Sequence, residues 1–428
     1  MATSTLSGYW RIRSQTGIVL NYGMQGHHRT TRLLGIYGVF TYPFACVPFL
    51  YFYFAEHGIG IEQYLQMIAW YYWAMVLTEV PTGLLADRYG RKIALSCGSA
   101  TLAGGFLILH QATSYPGFCA GQIALGVGHA MLSGAPTAML FDFLQETGRQ
   151  DRFLHTESRI HSLRLFGTGG AFLLGGFFAY LFGLGSTILL TSAFCCVGVV
   201  VALAIHEPGR QPMAGARPAL LRIALSDLRS RQLIWILVYF VFLFGLLRFA
   251  FHTYQPFFAE TVFNHEHPKL NWLWLGCLFA SLNLFAAPSS RLVPFLTKRF
   301  QYRTLFLSLP LVLSLAFIAM SQLSGWAAIM LFFVHQVPFG LHWALIQDYV
   351  NHRLAAHARA TTLSILSFTG RISFAVWIPL VGSYQDRHGT AETYLLLGGI
   401  GLVLTLLWCG PGLGTRLLRP SLPARDDQ

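Results

Sequence analysis

The 428-residue sequence predicts an all-α membrane protein, twelve transmembrane helices in two six-helix pseudo-repeats, with both termini in the cytoplasm. Three observations lead there. Hydrophobic residues make up 54% and charged residues only 11%, where soluble domains carry roughly a quarter charged residues, and mean hydropathy is +0.52. Three charge-free runs, 93–141, 165–206 and 304–347, are each about twice the ~20 residues a membrane-crossing helix needs. Basic residues gather in alternate connections, which sets an orientation in a bilayer. A membrane barrel would instead alternate apolar and polar residues over strands of about ten, and no such alternation occurs.

Residues 1–31 form a polar, basic cytoplasmic segment without the apolar core of a cleavable signal, so the first span inserts uncleaved. Single spans follow around 32–55 and 63–86. Each double-length run folds at a small turn, at 113–117, 182–186 and 322–325, where Gly, Ser, Thr or Pro interrupt the apolar residues. Further single spans fall near 232–259, 270–289, 360–384 and 393–412. The connection 207–231 carries Pro208, Gly209, Pro212, Gly215 and Pro218 and divides a bundle at 32–206 from a bundle at 232–412; residues 413–428 form a cytoplasmic tail.

Arg88, Arg91 and Lys92 follow the second span, Arg149, Arg152 and Arg159 the fourth, and Arg291, Lys298, Arg299 and Arg303 the eighth. The opposite side offers only Lys269 and Arg387, so the positive-inside rule places both termini in the cytoplasm. The net charge of +12 therefore reports membrane orientation rather than a nucleic-acid partner. All seven cysteines lie in apolar stretches without metal-type spacing and read as small buried residues. No cofactor or metal site is expected.

A repeat at an offset of 206 residues pairs His129, Gly134, Ala138 and Asp142 with His335, Gly340, Ala344 and Asp348. Internal repeats of this kind accompany transporters in which two halves rock about a central site.

The segment Gly83 to Lys92 reads GLLADRYGRK, a charged turn between two long apolar runs. Gly83, Asp87, Arg88, Gly90, Arg91 and Lys92 fall where the major facilitator superfamily places its signature loop between the second and third helices, and the chain resembles that family from about 30 to 412. The resemblance implies alternating access, with the loop's charge cluster latching the outward-facing state and Arg91 pairing with Asp142 at the inner end of span four. Gly83 and Gly90 are expected to allow close helix approach and a tight turn. The lead-in Glu79-Val80-Pro81-Thr82 is similar to the exporter-like branch. In the second half, residues 296–303 align with 85–92, but Lys298 replaces the acid, so the acid latch is lost there.

Ionisable groups at membrane depth are costly, so each suggests a role. His129 lies 13 residues from Asp142, roughly 20 Å at 1.5 Å per residue, and His335 is its repeat partner; histidine can exchange a proton near neutral pH, or serve as a packed hydrogen-bonding residue. Arg248, followed by His252, Tyr254 and Gln255, suits an anionic substrate or a buried carboxylate, or snorkels to outer headgroups. Arg248, His252, Gln255 and Asp348 join the two histidines as candidate proton-coupling or substrate residues. Arg164 and Arg371 read as interfacial anchors and Glu79 as half of a helix–helix ion pair.

Two departures weaken any assignment of direction. Gln122 stands where the family's proton-linked arginine would be, and the exporter proline of span five is missing. Without a P-loop GxxxxGK[ST], ATP drive is not expected, and the energy source is the proton gradient. The expected protein is a monomeric secondary transporter in a bacterial inner membrane, exporting a drug-like or secondary-metabolite molecule. Solute uptake by symport is the alternative. A lipid-modifying enzyme built on His265, Glu266 and His267, or a transporter-like sensor, is a further reading.

Overall fold

A computed structural model describes residues 29–42, 44–208, 231–353 and 356–409; the central connection from 209 to 230, the first 28 residues and the tail from 410 lie outside the described residues. Among those described, every regular element is helical.

Helix α1 covers 29–41 and α2 Leu50–Glu56, separated by an irregular stretch ending in a short 3-10 turn. Then come α3 (Ile61–Tyr89), α4 (Arg91–Gln111), α5 (Tyr115–Leu132), α6 (Ala135–Glu146), α7 (Phe153–Phe182) and α8 (Leu184–Ala204). After the undescribed connection follow α9 (Arg231–Thr261), α10 (Pro268–Ala286), α11 (Val293–Arg299), α12 (Tyr302–Gln322), α13 (Gly325–Arg353) and α14 (Ala356–Cys409). Helix α14 is two helices merged across Gly389, whose φ of 81° breaks the ladder. Among the described residues eight helical stretches are long and apolar enough to cross a membrane, and the longest, Thr361–Trp408, contains that break. The three double-length runs divide at Gln111–Tyr115, Phe182–Leu184 and Gln322–Gly325, where the sequence places turns.

One expectation is corrected. The ten-residue loop is not a loop: α3 stays helical through Tyr89, α4 begins at Arg91, and Gly90 alone makes the turn. Its φ of 109° lies in the left-handed region that a side chain disfavours. Gly83, by contrast, has no heavy atom near the position a Cβ would take, so it mediates no close approach. Apolar positions bracket the charges closely enough for the α3 helix to continue past the membrane edge.

The face bearing Gly90 is termed the loop face and the opposite one the far face. Helices α1–α8 form one set and α9–α14 the other; α4 packs closely on α5 and α8, α3 on α5, and α12 on α14, while α7 and α10 pack mainly on each other across the sets. Three seams join the sets: α3 on α14, α7 on α10, and α2 on α9. The outward surface is apolar, with Leu77, Phe166, Phe182, Val200, Leu380 and Leu407 all exposed, as lipid contact requires. Because lipid is as apolar as the side chains it would replace, association rests on close packing. The α7–α10 seam shows it. A Cβ on Gly276 would sit 2.8 Å from the Phe172 carbonyl oxygen, and one on Gly176 2.8 Å from that of Trp272.

Candidate functional site

Between the two sets of helices lies a cavity of about 490 Å³, a size ordinary for a small-molecule site. Both sets line it: Tyr42, Tyr71, Gln122 and His129 from one, Arg248, His252, Tyr254 and Gln336 from the other. Aromatic rings dominate the wall, with Phe44, Phe106, Phe172, Phe251, Phe279 and Phe339 beside the tyrosines.

The cavity is sealed toward the far face. Gln255 is buried and spans the gap, accepting a bond from the Tyr51 amide at 2.9 Å and donating to the Val47 carbonyl at 2.8 Å. The helix break between α1 and α2 frees these backbone groups, and the amide side chain supplies the donor and acceptor they need. Phe52 packs on Phe263 and Trp272 in the same seal. Toward the loop face α6 packs chiefly on α4, α5 and α7, and α13 on α9, α10, α12 and α14, with the α3–α14 seam still joining the sets. A second pocket of about 270 Å³ shares Tyr42, His129 and Arg164 with the first and continues to Gly134, Thr137 and Glu157. Gly134, at φ 73°, separates α5 from α6 there.

Ion pairs organise the loop-face half. Arg91, at the start of α4, holds Asp142 on α6. Glu79 on α3 pairs with Arg371 on α14 at 2.7 Å, tying the two sets, and accepts from Ser133 at 3.1 Å. Glu79 thus sits in the helix–helix ion pair its sequence position suggests. Arg371 is no headgroup anchor; its guanidinium is bound to the other half.

The second set repeats the Arg91–Asp142 arrangement in a different chemistry. Tyr302 opens α12 as Arg91 opens α4, and its hydroxyl donates to Asp348, the repeat counterpart of Asp142. The acid is retained; its partner has become a neutral hydroxyl.

The sequence model of the Major Facilitator Superfamily matches residues 33–378 of the chain.

The chain belongs to the major facilitator superfamily. No curated protein aligns significantly with the sequence. Solved structures agree on the fold. The nucleoside transporter NupG superposes with a TM-score of 0.70 at 12% identity, covering 91% of this chain and 98% of that one. A D-xylose-proton symporter gives 0.69 at 14% identity over 89% and 97%. A POT family transporter, solved with a thioalcohol-conjugated peptide, gives 0.69 at 13% over 90% and 95%. As a superfamily member the chain is a multi-pass membrane transporter. The His265–His267 cluster is an exposed turn whose Glu266 and His267 amides bond the Asn264 side chain.

Within this facilitator fold the predicted residues separate. His129 lines the cavity, between the rings of Phe44 and Tyr71. His335, its repeat partner, does not; it is buried against Phe317 and Tyr254 behind the wall. His252 lines the cavity, stacked on Phe374. Arg248 lines it too, with Phe244 under its guanidinium, which excludes a head snorkelling to the membrane surface. Gln255 touches the cavity, but both ends of its amide are committed to the seal. Asp348 lies with Tyr302 at the loop-face end of α13, away from the cavity. Asp87 and Arg88 occupy the last turn of α3 beside Gly90. Lys92 lies in the first turn of α4, where its carbonyl accepts from Ser96. Arg164, read from sequence as an anchor, is instead a cavity residue, bonded to His161 and lying over the Tyr42 ring. Its signal was present: an arginine one residue before a long charge-free run.

Proposed function

We propose that the chain is a proton-coupled secondary transporter that exports a small organic solute by alternating access, driven without ATP. Twelve spans form two six-helix bundles, 32–206 and 232–412, joined by a cytoplasmic connection at 207–231, with both termini cytoplasmic, in a bacterial inner membrane. The protein works as a monomer. The observation that carries this reading is the cavity walled by both sets of helices, sealed at the far face and continued toward the loop face. Such a cavity changes exposure when the sets rock, and its seals are the parts that must exchange.

In this state the cavity faces the cytoplasm and collects solute. Gln255, Phe52 and the Gly176–Gly276 contact hold the far side shut. The Gly90 turn, with Asp87, Arg88, Arg91 and Lys92, forms the cytoplasmic latch of the opposite state, and the Arg91–Asp142 pair fixes α4 against α6 so that the turn moves as one piece. His129 carries the coupling proton: it is half-buried, its Nδ1 is shielded without a hydrogen-bond partner, and it faces both pockets. Preference for export rests on the exporter-like lead-in at 79–82.

Purified protein in proteoliposomes, scanned with solutes under an imposed pH gradient, tests the reading. Wild type moves solute against the proton gradient, Asp87→Asn slows flux without changing affinity, and His129→Ala uncouples flux from pH. Full proton-coupled flux in His129→Ala would remove the histidine from the mechanism. Accumulation in the direction of proton movement would make the protein an uptake symporter.

A further inference from the structure

The cavity's charges point to a class of solute, an inference that rests on the transport reading above. Among the described lining residues only two are charged, Arg164 and Arg248, and both are cations; none is a carboxylate. Glu157, the one carboxylate of the adjoining pocket, accepts from Thr137 at 2.9 Å.

Two other arginines, one at the start of α4 and one within α14, behave differently. Arg91 holds Asp142 and Arg371 holds Glu79. That is the rule for a guanidinium at membrane depth, where an unpaired cation costs several kcal/mol. Among the described residues Arg164 and Arg248 have no carboxylate within ion-pair distance. Arg248 has only the Phe244 ring, 5.2 Å from its guanidinium carbon. Arg164 has the Tyr42 ring at 4.8 Å and His161 Nδ1 at 2.6 Å. Ring faces offset only part of the desolvation of a guanidinium. Among the described residues the remaining titratable side chains on the cavity wall are tyrosines and the histidines His129, His161 and His252, and the adjoining pocket, which Arg164 also lines, adds Glu157.

We infer that the transported solute is an amphipathic organic anion, an aromatic or alicyclic body bearing a carboxylate, sulfonate or phosphate, whose charge is met by Arg164 of the first set and Arg248 of the second. The planar guanidinium forks suit an oxyanion, and the ring-lined remainder of the cavity suits an apolar body. Because the two cations come from opposite sets, the bound anion attracts both and favours their approach on the loop face. Solute and conformational change are thereby linked.

Three probes of one shape decide it: 1-naphthoate, 1-naphthylmethanol and 1-naphthylmethylammonium, titrated calorimetrically into the purified full chain. Naphthoate binds at least about tenfold tighter than the other two, the size expected for one charge-assisted contact. Arg164→Gln and Arg248→Gln each weaken naphthoate about tenfold and leave the alcohol unchanged, and Arg→Lys at either site restores part of the loss. Equal or tighter binding of the alcohol or the ammonium overturns the inference, as does naphthoate that fails to bind or ignores both substitutions. The wild-type ranking stands even if a variant does not fold. Vesicle flux is read separately: naphthoate that binds with this pattern but never crosses refutes transport and leaves the anion site.

Discussion

Replacing Gly276 by alanine will bias the molecule toward opening at the far face. A Cβ there would sit 2.8 Å from the Phe172 carbonyl oxygen and 3.1 Å from the Gly176 Cα, both backbone atoms that no rotamer change can move. Against the 3.4 Å at which Cβ contacts become ordinary, about 0.6 Å must be found by separating α7 from α10. Overpacking of that kind costs about 1–3 kcal/mol. The cost falls only on the far-face-closed state, because the contact vanishes when the sets part there. The gain in helix propensity from Gly to Ala is common to both states and cancels. The equilibrium therefore shifts by about 5- to 150-fold. The assay uses a cavity-lining cysteine, Thr168→Cys, in a background with the seven native cysteines replaced by serine, labelled from the far face with an impermeant maleimide. Labelling accelerates in Gly276→Ala and stays at the wild-type rate in Gly170→Ala, where an added Cβ meets nothing. Unchanged labelling in Gly276→Ala, or equal acceleration in both, would refute the argument that this seam closes the far side.

Glu79→Gln and Arg371→Gln each destabilise more than the double substitution, because each alone leaves a half-buried charge without its partner; denaturation of the four proteins gives a coupling of about 0.5–3 kcal/mol, and additive effects would contradict the pair. Tyr302→Phe removes the donor to Asp348 and lowers thermal stability by about 1–3 kcal/mol, read from the unfolding midpoint. The two repeat histidines part in function: His129→Phe abolishes the pH dependence of flux, whereas His335→Phe leaves transport intact and alters only the melting temperature. Identical effects at both positions would mean that cavity exposure does not decide their roles.

Sequence alone determined the helical class, the turns that divide the long runs, the motif around Gly90 and hence the family. These depend on local hydropathy and on residues such as Gly90 whose backbone conformation no other side chain tolerates readily. Even the Arg91–Asp142 pair was legible, because the resemblance to the family places a carboxylate at the inner end of span four, opposite the motif's arginine. Tertiary structure decided which way each polar side chain points. A span apolar on all sides carries little periodic signal about its own rotation, so His129 and His335, identical in register, could end respectively in the cavity and behind its wall. The same freedom turned Arg164 from an expected anchor into a cavity cation and committed Gln255 to the far-face seal. It also let Tyr302 replace an arginine opposite Asp348, since partner identity across helices depends on packing that the local chain does not encode.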